Sequence, residues 1–204
     1  MIATDRVIHR AIEHQAAICP DLPALIDGLR TVTYRELNAR ANVIARYLMG
    51  AGLRRSQRAL IRMDRGTDLA VVLLAVLKCG AAYAWIDAAF GDADLPQGVM
   101  LTKDSPGEEQ RYHLIDLRRA LGEPVRYATP NLPVLTREGD IACVVPARDG
   151  SPALLIPHGS IGAIPVMASE RSHWVVDPAA FDLWVALAAG ATVTLTTDGA
   201  RVAA

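Results

Sequence analysis

Residues 59–86 read ALIRMDRGTDLAVVLLAVLKCGAAYAWI, and this stretch decides the fold. The apolar runs at 59–63 and 82–86 have the length and composition of strands. Between them, residues 67–78 place apolar side chains on several faces of a helix, which is typical of a helix that is largely buried. The order strand, helix, strand predicts a right-handed crossover with parallel strands, and therefore an α/β fold.

A second helix is predicted directly upstream. Thr33 and Glu36 form a capping box, in which the hydroxyl and the carboxylate satisfy backbone NH groups at a helix start. Gly50 and Gly52 supply the left-handed positions at which such a helix ends. The apolar side chains that recur at helical spacing between these two ends are Leu37, Ala41, Ile44, Ala45 and Leu48.

The rest of the chain continues this alternation and predicts a layered α/β fold with mainly parallel sheets flanked by helices. Residues 87–140 are rich in Pro, Gly, Asp and Glu, which indicates a loop-rich segment. The remaining predicted elements are helices over 6–17, 114–121, 160–169 and 178–189, and strands over 24–27, 99–102, 141–145, 153–156, 173–176 and 191–196.

Composition excludes several classes of protein. The chain carries 21 Lys and Arg against 22 Asp and Glu, a balance that argues against a dedicated nucleic-acid binder. The longest apolar run, 69–77, is about half of the roughly 20 residues that a membrane-spanning helix requires. The first residues lack a signal-peptide core, so we expect a cytoplasmic protein with no membrane partner.

The cysteines and histidines give no metal-like pattern. Cys19, Cys79 and Cys143 are widely separated and odd in number, which fits neither a disulfide framework nor a zinc pair. We interpret them as small buried apolar residues. The histidines form no spacing typical of a metal site, so none is expected.

Three motifs resemble, in sequence and in order, those of the amino-acid adenylation domains of nonribosomal peptide synthetases. These domains belong to the superfamily that also holds acyl-CoA synthetases and luciferases. PALIDGLRTVTYRELNARANVIARYLMGAG at 23–52 and DLAVVLLAVLKCGAAYAWIDAAF at 68–90 resemble the opening core motifs. VVDPAAFDLWVALAAGATVTL at 175–195 resembles the later motif FDASVFELWGALLSGATLVL. The resemblance implies the fold of the N-terminal subdomains of adenylate-forming enzymes.

The resemblance also implies how the chain is organised. Residues 1–204 would be one truncated adenylation-like domain. Its first part, 1–90, matches well; 91–140 is loop-rich and shortened; and 141–204 holds the phosphate-loop region with a following βαβ unit. Members of this family activate a carboxylate with ATP and pass the acyl-adenylate to a carrier thiol, which requires backbone NH groups and a cation at the phosphates.

The phosphate loop departs from the family pattern, which is TSGTTGxPKG between two strands. Residues 141–161, IACVVPARDGSPALLIPHGSI, keep the flanks but shorten the loop by about two residues. The central residues Arg148, Asp149, Gly150 and Ser151 lack the lysine and the hydroxyl pair, and Asp149 adds negative charge. We interpret this segment as a degenerate phosphate loop that forms a tight turn instead of an ATP cradle.

Two residues further along match substrate-site positions of the family. Asp177 matches the aspartate that binds the ammonium group of an amino acid, but Asp followed by Pro178 is also a good N-cap for the next helix. His158 matches a histidine at the start of the helix after the phosphate loop, and packing or capping is the alternative role. Phe181, Trp184 and Leu187 have the spacing of core residues.

A basic cluster is a candidate docking site for an acidic partner. Arg54, Arg55 and Arg58 stand close together, with Arg62 and Arg65 shortly after them. The alternative is a solvated loop and strand edge, which is the commoner role of such a run.

Length bears on the function that the resemblance implies. A complete adenylation enzyme is more than about twice as long, so the motifs that hold adenine, ribose and the catalytic lysine are not among these residues. We therefore expect no catalytic residues, no cofactor, and a structural or partner-docking role in nonribosomal peptide biosynthesis. The expected partners are carrier, condensation or MbtH-like proteins, or a second copy. The alternatives are the N-terminal fragment of a split adenylating enzyme, which would use ATP and magnesium, and a piece of a longer protein.

Overall fold

The computed structural model describes residues 6–86, 98–103, 112–122, 130–133, 136–145, 153–163, 174–176 and 181–195. Helices and strands alternate along this part of the chain. The helices are α1 Ile8–Ile18, α2 Tyr34–Gly50, α3 Thr67–Lys78, α4 Arg118–Gly122, α5 His158–Gly162 and α6 Phe181–Ala188. The strands are β1 Pro23–Asp27, β2 Arg30–Thr33, β3 Arg58–Arg62, β4 Ala82–Trp85, β5 Val99–Thr102, β6 His113–Asp116, β7 Ile141–Val145, β8 Leu154–Pro157, β9 Trp174–Val176 and β10 Val193–Leu195.

The described strands form two mainly parallel sheets. The small sheet has the order β2-β1-β10-β9, in which β2 is antiparallel to β1 and the other pairs are parallel. The large sheet has the order β6-β5-β3-β4-β7-β8, in which β8 alone is antiparallel to its neighbour. The predicted layered α/β fold is confirmed.

The strand–helix–strand unit lies at the centre of the molecule. Strands β3 and β4 are parallel neighbours, with Leu60 opposite Ala84, and α3 has the bounds that the sequence predicts. Helix α3 contacts β1 of the small sheet and β4 of the large sheet, and it packs along α2. Every residue of α3 except Asp68 is buried, so the prediction of a helix buried on several sides is confirmed.

Helix α2 begins and ends where the sequence predicts. The backbone N–H of Thr33 donates to Glu36 Oε2 at 2.8 Å, and the backbone N–H of Glu36 donates to Thr33 Oγ1 at 3.2 Å. The predicted capping box is therefore present. After the last residue of α2, Gly52 adopts the predicted left-handed conformation with φ 110°, and the N–H of Leu53 donates to the carbonyl of Leu48. Gly50 is the last helical residue instead, so its predicted left-handed conformation is wrong.

The predicted helix over 114–121 begins too early, because only its second half, from Arg118, is helical. These residues form the end of strand β6 and the short helix α4. All four residues of β6 pair with β5 in parallel register, and this tertiary pairing overrides a weak helical pattern. Asp116 then accepts a hydrogen bond from the N–H of Arg118 at 2.9 Å, which starts α4.

Two further differences concern element bounds. Strand β2 has no counterpart in the sequence prediction; it forms because Gly28 adopts φ 58° and turns the chain back so that Val32 lies opposite Leu25. Helix α5 begins at His158 and ends at Gly162, whereas the helix was predicted over 160–169. Residues 164–169 lie outside the described part of the chain.

A buried ion pair joins α1 to α3. The side chain of Lys78 is 1% exposed, and its ammonium Nζ donates to the carboxylate of Glu13. Burial lowers the pKa of Lys78, and the Glu13 carboxylate opposes that shift. Removing either partner would therefore leave the other charge without its counter-charge in a buried site.

We expect Glu13→Gln to lower the free energy of unfolding by about 3 kcal/mol, because it leaves a buried ammonium without a counter-charge. The double variant Glu13→Leu/Lys78→Met removes both charges and is expected to recover most of that loss. Urea denaturation of the three proteins measures both effects. A double variant as unstable as Glu13→Gln would contradict the explanation.

Candidate functional site

The β7–β8 hairpin holds the segment that resembles a phosphate loop. Val145 at the end of β7 lies opposite Leu154 at the start of β8, so residues 146–153 connect two paired strand ends. Strand β7 lies parallel to β4, with Cys143 opposite Tyr83, and the connection leaves from its carboxyl end. In open α/β sheets ligands bind at this edge.

Five of the candidate site residues lie outside the described part of the chain. These residues are Arg148, Asp149, Gly150, Ser151 and Asp177. Their neighbouring strands are described. The first four follow β7 of the large sheet, and Asp177 follows β9 of the small sheet.

His158 is packed under helix α1. Its side chain is buried at 1% exposure, and Nδ1 accepts a hydrogen bond from the backbone N–H of Ile8 at 3.4 Å. The N-cap residue of α1, Val7, has no capping side chain, so His158 satisfies one of the amide groups that the helix start leaves open. The N–H of His158 itself donates to the carbonyl of Asp140. These contacts give the side chain a structural role.

His9 lies against His158 in the same layer. The two ring centroids are 5.8 Å apart with an edge-on angle of 78°. Burial, followed by the positive charges of His158, Lys78 and Arg10, lowers the pKa of His9 from 6.5 to about 3. The imidazole of His9 is therefore neutral in the folded protein at neutral pH.

This shift predicts a loss of stability in acid. Between about pH 6.5 and about pH 3 the unfolded chain binds a proton at His9 that the folded protein does not, so stability falls as the pH falls through this window. The contribution lost by about pH 4 is roughly 3 kcal/mol. We expect His9→Leu to show a smaller loss of unfolding free energy between pH 7 and pH 4 than the unchanged protein, measured by urea denaturation. Equal losses in both proteins would contradict this assignment.

The candidate docking arginines have separate roles in the structure. Arg54 Nη1 donates to the carbonyl of Met49 at 2.7 Å, near the end of α2. Arg55 Nη2 lies 2.9 Å from Asp140 Oδ2, and the backbone N–H of Arg137 together with Arg55 holds the pKa of Asp140 below its usual range. Arg58 begins β3, is exposed, and lines an open cleft at the amino-terminal edge of the large sheet.

Two more arginines of the run lie at the opposite, carboxyl edge. Arg62 ends β3, and the guanidinium of Arg65 lies 4.9 Å from the ring centroid of Trp85, the last residue of β4. Trp85 Nε1 also donates to the carbonyl of Met63 at 3.0 Å. The five arginines therefore do not form one surface.

The cleft at Arg58 is a feature that the sequence analysis missed. It is also lined by Gln57, which directly precedes Arg58, and by Tyr112 and His113, which lie far from both along the chain. Parallel pairing brings them together, because Ala59 lies opposite Val99 and Val99 lies opposite His113. No spacing in the sequence could indicate this grouping before the strand order was known.

Trp184 and two of the three cysteines occupy the core as predicted, whereas Cys19, after the end of α1, is only partly buried and that prediction is wrong. Trp184 is buried and its Nε1 donates to the hydroxyl of Tyr83 at 2.7 Å. Cys79 and Cys143 are buried free thiols, and burial raises the pKa of each to about 12. Both thiols are therefore protonated at neutral pH.

The described residues hold no group of three or more His, Cys, Asp or Glu side chains that could bind a metal ion. In the same ranges, no helix has the length and apolar composition needed to cross a membrane.

Comparison with known proteins gives a consistent result. The family described as AMP-binding enzyme matches residues 12–103. Surfactin synthase subunit 2 of Bacillus subtilis (strain 168) is 30% identical over 208 residues, covering 91% of this chain and 6% of that protein. The N-terminal subdomain of Klebsiella oxytoca NpsA in complex with 3-hydroxyanthranilyl-AMSN aligns with a TM-score of 0.76 at 23% identity, covering 95% of this chain and 54% of that one.

The chain belongs to the AMP-binding family of adenylate-forming enzymes. Within that family it is an N-terminal segment of the adenylation-domain type found in nonribosomal peptide synthetases, and its fold is that of the NpsA N-terminal subdomain. NpsA-ThdA, an artificially fused Adenylation-PCP di-domain of Klebsiella oxytoca, gives a TM-score of 0.80 at 24% identity, covering 95% of this chain and 40% of that one. The chain thus spans 6% of the length of surfactin synthase subunit 2 and about half of the NpsA subdomain.

Proposed function

We propose that this chain is an adenylation-type subdomain that binds no nucleotide and forms no acyl-adenylate, and that it serves as a structural, partner-docking element in nonribosomal peptide biosynthesis. The observation that carries the proposal is the composition of residues 146–152, the connection that follows β7. A phosphate site needs several backbone NH groups and a cation aimed at the phosphate oxygens.

The connection is poorly suited to that task. Pro146 and Pro152 have no backbone N–H to donate. Asp149 adds a carboxylate to a segment that would have to neutralise phosphate charge, and Arg148 provides the one cation of residues 146–152. The paired ends at Val145 and Leu154 leave no further residues with which to widen the loop.

The same hairpin supports the docking role. Strand β8 lies at the edge of the large sheet, and its Leu154 is 59% exposed. Leu155 and Val145 are exposed beside it. Edge strands with several exposed apolar side chains are ready templates for another polypeptide. Carrier, condensation and MbtH-like proteins, or a second copy of this chain, are the partner classes that follow from the family.

Calorimetric titration with ATP and magnesium tests the first part of the proposal. We expect no saturable binding into the millimolar range. The titration is done in the Arg58→Gln background as well, because the cleft at Arg58 lies at the other edge of the sheet and carries a cation of its own. Saturable binding that is abolished by Arg148→Gln but unchanged by Arg58→Gln would overturn the proposal.

Leu154→Asp tests the docking surface, with Leu29→Asp as the matched control. Leu29 is an exposed leucine like Leu154, but it lies in the β1–β2 turn of the small sheet. Light scattering and titration with purified carrier, condensation and MbtH-like proteins measure association. We expect Leu154→Asp to weaken the association at least tenfold and Leu29→Asp to leave it unchanged. Equal effects of the two variants, or a monomer that binds none of these proteins, would contradict the docking role.

A second candidate function is that of an N-terminal part of an adenylating enzyme completed by further motifs. The observation that favours it is the intact fold, which aligns over 95% of this chain with the NpsA subdomain. ATP–pyrophosphate exchange after addition of the remaining part of a related adenylation domain distinguishes the two. ATP–pyrophosphate exchange that is lost when Asp177 is replaced would favour this second candidate function.

A further inference from the structure

An open cleft of about 660 Å³ lies at the amino-terminal edge of the large sheet. Arg58, Val99 and His113 line it, and they are the first residues of the neighbouring strands β3, β5 and β6. The connection after β7 leaves from the carboxyl end of the same parallel sheet. The cleft is therefore a separate feature from the segment that resembles a phosphate loop.

Internal hydrogen bonds engage some polar atoms of the cleft and leave the donors of Gln57 and Arg58 open to a ligand. Gln57 Oε1 accepts from the backbone N–H of Arg54 at 2.7 Å, which leaves the NH₂ group of the amide for a ligand. Ring nitrogen Nε2 of His113 lies 3.0 Å from the carbonyl of Ala51 and donates to it. The guanidinium of Arg58 is a donor only, and the hydroxyl of Ser56 adds a further donor.

The charge of the cleft is positive. Among the residues that the structure describes, its lining includes the cation of Arg58 and no Asp or Glu side chain. Arg58 is exposed, and its guanidinium makes no hydrogen bond or ion pair with the residues that the structure describes. A guanidinium that is not engaged elsewhere can bind a planar or tetrahedral oxyanion through two parallel N–H groups.

Two glycines keep the cleft in this shape. Gly52 has φ 110°, and a Cβ there would lie 3.2 Å from the ring of His113. A Cβ at Gly98 would lie 2.6 Å from the carbonyl oxygen of Arg58, which is closer than real Cβ contacts come. Any larger residue at these positions would therefore displace the groups that line the cleft.

We propose that this cleft is a binding site for an oxyanion, a phosphate or carboxylate group carried by a small molecule, with Arg58 as its principal ligand and the Gln57 amide as a second donor. The inference goes beyond the proposed function, because it does not depend on whether the chain forms an adenylate. A lining that offers hydrogen-bond donors and one cation favours an anionic ligand with several acceptor oxygens.

The test is an NMR titration of the full chain with inorganic phosphate, and separately with acetate, at constant ionic strength. We expect saturable shifts at Gln57, Arg58 and the amides at the starts of β5 and β6. Arg58→Gln is expected to weaken binding at least tenfold. Lys103→Gln is the matched control, because it also removes one positive charge but follows β5 at the opposite edge of the sheet.

The two anions distinguish the sources of the ligand group. Saturation with phosphate alone assigns a phosphate ligand, and saturation with acetate alone assigns a carboxylate. Arg58→Lys keeps the charge without the two parallel donors, so it is expected to bind with intermediate affinity. Shifts that do not saturate with either anion, or that respond equally to Arg58→Gln and Lys103→Gln, would overturn the proposal.

Discussion

The burial of helix α3 between the two sheets is the constraint on which the rest of the structure depends. Its side chains face the small sheet on one side and the large sheet on the other, so a polar residue is tolerated in few places. Asp68 is the exception, and its carboxylate pairs with Arg40 of α2 at 2.7 Å. Lys78 at the other end is buried and needs Glu13 of α1. Apolar burial thus sets the layers, while ion pairs fix the helices around α3.

Distant residues complete the helix starts in this fold. The N-cap position of α3 is Gly66, which has no side chain, and the carboxylate of Asp27 accepts hydrogen bonds from the N–H and the hydroxyl of Thr67 instead. Helix α1 likewise depends on His158 at its first turn. In both cases a residue of another layer performs the task that a local Ser, Thr, Asp or Asn usually performs. The layers and the helix ends therefore stabilise each other.

This dependence explains how far the sequence could predict the structure. Helices α2 and α3 and strands β5 and β7 were predicted because their patterns are local: a capping box, a terminal glycine and uninterrupted apolar runs. Strand β6 was missed because four residues with little pattern become a strand only by pairing with β5. The unusual composition of the connection after β7 is visible in the sequence, but its residues lie outside the described part of the chain, so its conformation stays a prediction. The cleft at Arg58 could not be found, because Arg58 and His113 become neighbours only through parallel register.

The small sheet brings the beginning and the end of the described chain together, and this has a consequence for synthesis. Leu25 of β1 lies opposite Val193 of β10, and the hydroxyl of Tyr34 lies within 2.9 Å of the carbonyl oxygens of Leu187 and Ala191. These contacts join residues more than 150 positions apart. On the ribosome, β1 and the start of α2 must therefore wait, without their final neighbours, until α6 and β10 have been made. The strand–helix–strand unit around α3 can form its contacts much earlier, because its elements follow one another along the chain. The first strand, β1, is therefore among the last elements to acquire all its contacts.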